Sequence, residues 1–209
     1  MKTLFPTLVV LTLTACSPTP KQPLSPAFFY WETTLVISDS ERGLMDSLGC
    51  KKLYIKVLDI GRNATTGEIE PYSITEMSNK NGLAGLEIIP TVFITNEVFQ
   101  NISKEKTAWL AKKIVENLNQ IKELKGALFD CDWTPSTRES FFLFLKKIRG
   151  ELPPGTSLEA TIRLHQYKFP KETGVPPVDR GMLMFYNTGD VDEEGEHNTI
   201  FHPDDALKY

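Results

Sequence analysis

Several common signatures are missing from this chain. Its 209 residues carry 23 Lys and Arg against 27 Asp and Glu, a formal net charge of −4, so there is no basic excess to attract a phosphate backbone and no nucleic acid partner is expected. No glycine-rich phosphate loop is present: GRNATTGEIE, residues 61–70, lacks the Walker lysine, and no Gly-x-Gly-x-x-Gly occurs. Nothing calls for a cofactor. After residue 16 no apolar run is long enough to span a bilayer, and no internal repeat is visible. Cysteine is sparse, and only Cys50 and Cys131 lie in the body of the chain. Cys50 precedes one expected strand and Cys131 lies near the end of another. In parallel neighbouring strands their sulfurs would stand toward opposite ends, so no disulfide between them is expected.

What is present starts with a leader. Met1 and Lys2 form a positive n-region and Leu4 to Leu13 an apolar h-region too short to cross a membrane. The Leu-Thr-Ala-Cys that follows, residues 13–16, resembles the bacterial lipobox. That resemblance implies a signal peptide over residues 1–15, lipidation of Cys16, and a membrane partner reached through the N-terminal lipid. Ser17 rather than Asp after the cysteine implies, by enterobacterial sorting, the outer membrane of a bacterial envelope. Residues 16–26 hold Pro18, Pro20, Pro23 and Pro26 and read as an extended tether. Residues 27–209 then form the folded part, a length that suits one domain or two.

Six short apolar runs bounded by turn residues read as strands: 28–33, 53–60, 87–95, 127–133, 158–165 and 182–187. Several are almost continuously apolar, as in strands covered on both faces. Helical periodicity predicts helices over 40–48, 103–125 and 136–149. Gly49 stands at C′ of the first, a single apolar stripe from Leu110 to Leu124 marks the second, and Ser136 and Glu139 form a capping-box pattern on the third. Residues 61–86 and 166–180 read as irregular crossovers. This alternation predicts an α/β fold with parallel strands, (β/α)8 TIM-barrel-like but incomplete, with about six strands where a closed barrel takes about 250 residues. An open sheet would expose an edge, so association or poor solubility is expected.

The stretch GALFDCDWT, residues 126–134, singles itself out, because a buried strand ends there in two acids. The period of two puts Asp130, Asp132 and Thr134 on one face and Phe129, Cys131 and Trp133 on the other. In a barrel the apolar set packs under the helices, and the carboxylates point inward at the C-terminal mouth, where barrel enzymes place their chemistry. Other strand ends are also rich in aromatic and polar groups: Tyr30, Trp31 and Glu32; Asp59; Arg163, His165 and Gln166; Tyr186 and Asn187. Rings for sugar faces beside groups for sugar hydroxyls suggest a carbohydrate cleft.

Asp130-Cys131-Asp132-Trp133 is similar to the strand-four signature of chitinase-type glycosidases, Asp-Gly-x-Asp-x-Asp-Trp-Glu. The resemblance implies that Asp132 orients a substrate acetamido group. It departs at Thr134, which stands where that family has its general acid, and in lacking the preceding Asp-Gly. More widely, FFYWETT, KLYIKVLDI, IIPTVFITNEVF, FDCDWTPSTRESFFLFLKKIR, LEATIRLHQ and PPVDRGMLMFYNTGD together resemble an uncharacterised family of bacterial lipoproteins with a glycosidase-like barrel.

Glycoside hydrolysis needs two carboxyl groups about 5 Å apart for retention, or about 6.5–9.5 Å apart for inversion. Asp130 and Asp132, with Cα atoms about 6.5–7 Å apart by strand rise, are candidates, and Glu32 or Asp59 could partner them from another strand. The readings that follow are acid/base hydrolysis of a glycan through Asp130, Asp132 and Glu32, or non-catalytic binding of a carbohydrate or peptidoglycan. A third is an oxygen cluster of Asp59, Asp130 and Asp132 suited to Ca²⁺ or Mg²⁺.

Overall fold

In the computed structural model the described residues are 24–76, 81–186, 188 and 200–209. The leader, Cys16, most of the tether and Asn187 lie outside them. The strands, in chain order, are β1 (Ala27–Tyr30), β2 (Lys52–Arg62), β3 (Ile69–Ile74), β4 (Glu87–Ile94), β5 (Gly126–Asp130), β6 (Ser157–Arg163) and β7 (Arg180–Met184). Six of them pair in parallel in the spatial order β1-β2-β4-β5-β6-β7 and curl into a half-barrel. β3 adds on antiparallel to the upper half of β2.

The helices are α1 (Asp39–Ser47), α2 (Lys104–Leu118), α3 (Arg138–Glu151) and the short turns α4 (Leu164–Lys168), α5 (Pro170–Thr173) and α6 (Pro203–Ala206). α1 follows from a local signal. The Ser38 side chain accepts from the Glu41 N–H at 3.3 Å, and the Ser38 N–H donates to Glu41 Oε2 at 2.8 Å. This reciprocal cap satisfies two donors that a helix start leaves open. Ser38→Ala is expected to cost about 1 kcal/mol in a denaturant melt. Gly49, at φ 66°, ends the segment where expected.

Two helix expectations are corrected. The 103–125 helix stops at Leu118, because α2 must match the strands it covers. At about 1.5 Å per residue, twenty-three residues would run to about 34 Å, whereas eight-residue β4 spans about 26 Å. The chain turns instead, with Glu123 at φ 58°, and Ile121 and Leu124 still pack on the core. The Ser136–Glu139 capping box does not form: Thr137 is the N-cap without a side-chain cap bond, and Glu139 pairs with Arg138 at 2.8 Å. α3 also runs past Gly150 to Glu151.

The crossovers hold more structure than their composition suggests. Residues 61–86 contain β3, which takes Pro71 because it is an edge strand. Residues 166–180 contain most of α4 and all of α5. The strand expected over 158–165 ends at Arg163, and that expected over 182–187 is Arg180–Met184.

The main core lies outside the sheet. Val92, Ile94, Ala127, Phe129, Cys131 and Trp133 pack there against Leu110, Ile114, Phe141, Phe144, Leu145 and Ile148 of α2 and α3. A smaller cluster fills the concave side: Tyr54, Ile89 and Leu128, with Phe29 and Met182 against it. Below it, Tyr54 Oη donates to the buried Glu159 at 2.9 Å, and the Arg180 guanidinium lies 3.7 Å from the same carboxylate. Both body cysteines are free and buried; Cys50 belongs to a cluster with Leu35, Met45, Leu53 and Ile55, apart from Cys131. Burial pushes the Cys131 thiol well above its ordinary range and keeps it inert.

Candidate functional site at the mouth of the half-barrel

Parallel register assembles the site. Asp59 of β2 stands beside Phe93 of β4, and Phe93 beside Asp130 of β5. Asp130 Oδ1 accepts from the Thr161 hydroxyl of β6 at 2.7 Å, and Thr161 stands beside Met182 of β7. These side chains form one level of the concave face. One level higher, Asp132 Oδ2 pairs with Arg163 Nη1 at 3.0 Å, and Arg163 stands beside Met184. On the convex face Phe129, Cys131 and Trp133 enter the helix-covered core. Both acids of the 126–134 stretch therefore lie on the concave side, at the C-terminal end of β5.

Their environments differ. Asp130 is 4% exposed. Burial raises its pKa first; the Thr161 hydrogen bond opposes this, the neighbouring Asp132 charge adds to it, Arg163 opposes it again and Asp59 adds a little. Asp132 sits higher, about half exposed, with its charge met by Arg163. Proximity to both acids is also felt at Tyr186, whose phenol is raised chiefly by burial and then by Asp130 and Asp132.

The raised Asp130 sets a pH dependence. Its folded pKa lies above its unfolded one, so the folded state binds more protons between the two values, and ionising the carboxyl costs stability. That cost is absent below the ordinary carboxylate range and full above the raised value. Asp130→Asn keeps an acceptor for Thr161 and removes the ionisation. In melts from about pH 3 to about pH 8, the variant should gain stability relative to the parent as pH rises through that window. An unchanged difference across the range would count against a raised Asp130.

The remaining candidates divide. Trp31 is on the concave side: it stacks on Phe29 at 4.6 Å between ring centroids, 41% exposed, with Lys56 Nζ 5.6 Å from its ring. Asp59 is buried, and its Oδ2 takes Lys56 Nζ at 2.8 Å. Its Oδ1 and the Thr91 hydroxyl are buried without a hydrogen-bond partner among the described residues.

Tyr30 is not brought to the cleft. The alternation that turns Phe29 and Trp31 inward turns Tyr30 outward, where its hydroxyl donates to Thr34 O at 2.9 Å and accepts from the Val36 N–H at 3.1 Å. Glu32 lies exposed beyond the end of β1 and takes no ion-pair partner among the described residues. His165 and Gln166 belong to α4 rather than to a strand. His165 is exposed. Gln166 is buried, with its amide donating to Trp133 O at 3.1 Å and accepting from the Arg163 N–H at 2.8 Å, so it holds the end of β5 to the end of β6.

Thr134 does not share the face of the acids. β5 ends at Asp130, and Thr134 has turned into the start of α3. Its N–H donates to Thr137 Oγ1 at 3.0 Å, and its hydroxyl lies 2.9 Å from Ser136 Oγ. The sequence reading missed Lys56, Thr91 and Thr161. The signal for Thr161 was available, since alternation in LEATIR places Glu159, Thr161 and Arg163 on one face. Lys56 was concealed by the register shift between Lys56 and Leu58. Among the described residues no group of three or more His, Cys, Asp or Glu could hold a metal, so the Asp59, Asp130 and Asp132 cation cluster does not assemble. Among them, too, no helix is long and apolar enough to cross a membrane.

No family model matches the chain, and no curated protein matches it. Among solved structures it is similar to the chitinase domain of the spore coat protein CotE from Clostridium difficile, with TM-score 0.56 and 13% identity over 93% of this chain and 62% of that one. It is also similar to the Bacillus cereus spore cortex-lytic enzyme SleL, with TM-score 0.47 and 19% identity over 78% of this chain and 41% of that one. The chain thus spans less than two thirds of the length of either structure. The likeness to the CotE domain gives the fold, a glycosidase-like barrel of which the described strands make one half.

Proposed function

We propose that this chain is a bacterial envelope lipoprotein, anchored through Cys16 with the outer membrane as its expected location, and that the mouth of its half-barrel binds a glycan. The observation that carries the binding reading is the Asp132–Arg163 pair, about half exposed on the concave rim, with the half-exposed rings of Trp31 and Tyr186 on the same face. A carboxylate and a guanidinium fixed against each other offer acceptors and donors to sugar hydroxyls, and the rings offer flat apolar faces. Binding without turnover fits the acids best. A general acid must reach the glycosidic oxygen, yet Asp130 is 4% exposed and Thr134, in the place of an accessible donor, is tied into the α3 start. The resemblance to the chitinase-type motif and the likeness to a chitinase domain direct the choice of ligand toward N-acetylated glycans, peptidoglycan included.

One observation favours hydrolysis as a second reading. Burial raises Asp130 while Asp132 stands half exposed beside Arg163, and two neighbouring carboxyls in unlike environments are what acid/base cleavage uses. A glycan array probed with the mature protein, run beside a reducing-end assay on the glycans retained, separates the two. Retention without new reducing ends supports the binder, new reducing ends lost in Asp130→Asn support the hydrolase, and no retention at all sinks both. For the anchor, mass spectrometry of the mature protein should find a lipidated Cys16 that Cys16→Ser abolishes. An unmodified mature N-terminus would reject it.

A further inference from the structure

The convex side of the sheet carries a second feature, unrelated to the mouth. In a barrel of this kind the crossover between neighbouring parallel strands is a helix lying on their outer face. Between β2 and β4 the chain instead makes the antiparallel β3 and a short 3-10 turn at Asn81–Leu83. Among the described residues no crossover helix lies on that part of the sheet, and a groove of about 770 Å³ stands between β2, β3, β4 and α2. Its walls include Leu58, Ile69, Ile74, Ile88, Trp109 and Ile114. Ile74 is 67% and Trp109 44% exposed, so the groove opens to solvent along an apolar strip.

The charges at its margin are uneven. Lys113 is met by Glu116 at 2.8 Å, Glu87 by Lys52 at 3.0 Å, and Glu70 accepts from Asn63 at 2.7 Å. That leaves Lys122, Lys125 and Glu123 without an ion pair or side-chain hydrogen bond among the described residues, two cations against one acid. All three lie in the turn between α2 and β5, at the end of the groove where β4 and β5 begin. An elongated apolar trough that ends in excess positive charge is complementary to a molecule with an alkyl chain and an anionic head. Its volume lies within the range of about 300–1,000 Å³ usual for small-molecule sites.

We propose that this groove binds a single long-chain fatty acid, the alkyl chain lying between β2–β4 and α2 and the carboxylate meeting Lys122 and Lys125. This site is independent of the glycan reading. Leu58 and Ile60 face it while Asp59, between them, faces the mouth. Trp109 in the wall supplies the probe. Dibrominated stearate, added to the full chain below its micellar concentration, should quench tryptophan fluorescence saturably, and Trp109→Phe should remove most of that quenching. For unbranched C10, C12 and C14 acids, affinity should rise about fourfold for each added methylene buried. Ile74→Glu, at an exposed wall position, should abolish binding. The double variant Lys122→Glu, Lys125→Glu should weaken dodecanoate tenfold or more and leave dodecanol unchanged. Circular dichroism melts show whether each variant is folded. The proposal is overturned if quenching survives Trp109→Phe, if the acid and the alcohol bind equally, or if only phosphatidylglycerol vesicles and no monomeric fatty acid bind.

Discussion

Trp133→Ala is expected to lower the stability of the folded part by about 3–5 kcal/mol, the usual cost of emptying a buried aromatic site. The ring is 2% exposed and stacks on Phe141 at 5.3 Å, with Phe142 edge-on at 5.8 Å. Its Nε1 donates to Thr173 O at 3.0 Å, and Thr173 in turn donates to Gln166 O at 3.1 Å. The indole therefore fixes three things at once: the end of β5, the packing of α3, and the α4–α5 turns that carry the chain toward β7. Alanine leaves both a cavity and an unmet carbonyl in the same place. A chemical denaturation curve on parent and variant measures the effect. A loss below about 1 kcal/mol would mean that the site collapses around the missing ring or that the ring does not occupy it.

Asp132→Asn, one residue away, should do the opposite: leave the fold near its original stability and remove most glycan binding. Its partnership with Arg163 is about half exposed on both sides, and pairs of that kind contribute about 0–1 kcal/mol. The binding effect should be larger, because a hydrogen bond from a ligand hydroxyl to a charged acceptor is worth about 1.5–3 kcal/mol, or about 10–150-fold in affinity. Asparagine keeps the shape and one acceptor but loses the charge that orients Arg163. A binding titration on a retained glycan, beside a thermal melt, reads both quantities. If Asp132→Asn unfolds the protein while Trp133→Ala melts normally, the two faces of this segment have been exchanged and the glycan site fails with them.

Such contrasting outcomes for neighbouring residues come from the period of two, and that much could be read from residues 126–134 alone. A strand has only two faces, so the apolar character of Phe129, Cys131 and Trp133 decides where the acids go. The stripe from Leu110 to Leu118 was legible for the same reason at period 3.6, and each of its apolar members is buried. The parallel α/β half-barrel followed from the order of these elements, since parallel strands need covered crossovers.

Local pattern does not contain the positions at which elements stop. The helix expected to reach residue 125 ends at Leu118 because strand length limits it, and the strand expected to reach Trp133 ends at Asp130 because parallel pairing with β6 stops at Phe129–Ala160. That early end is what turns Thr134 away from the acids and into the α3 start. Tyr30 and Gln166 were marked by residue type, and packing assigned both to backbone bonds. The electrostatic setting of each acid also lay beyond the sequence. Asp130 and Asp132 are the same residue two positions apart, yet the first is raised by burial and the second stands in solvent beside Arg163. The sequence by itself determined which faces meet and in what order. Depth, strand ends and the partners across the sheet were decided by the tertiary structure, because desolvation and parallel register depend on residues distant in the chain.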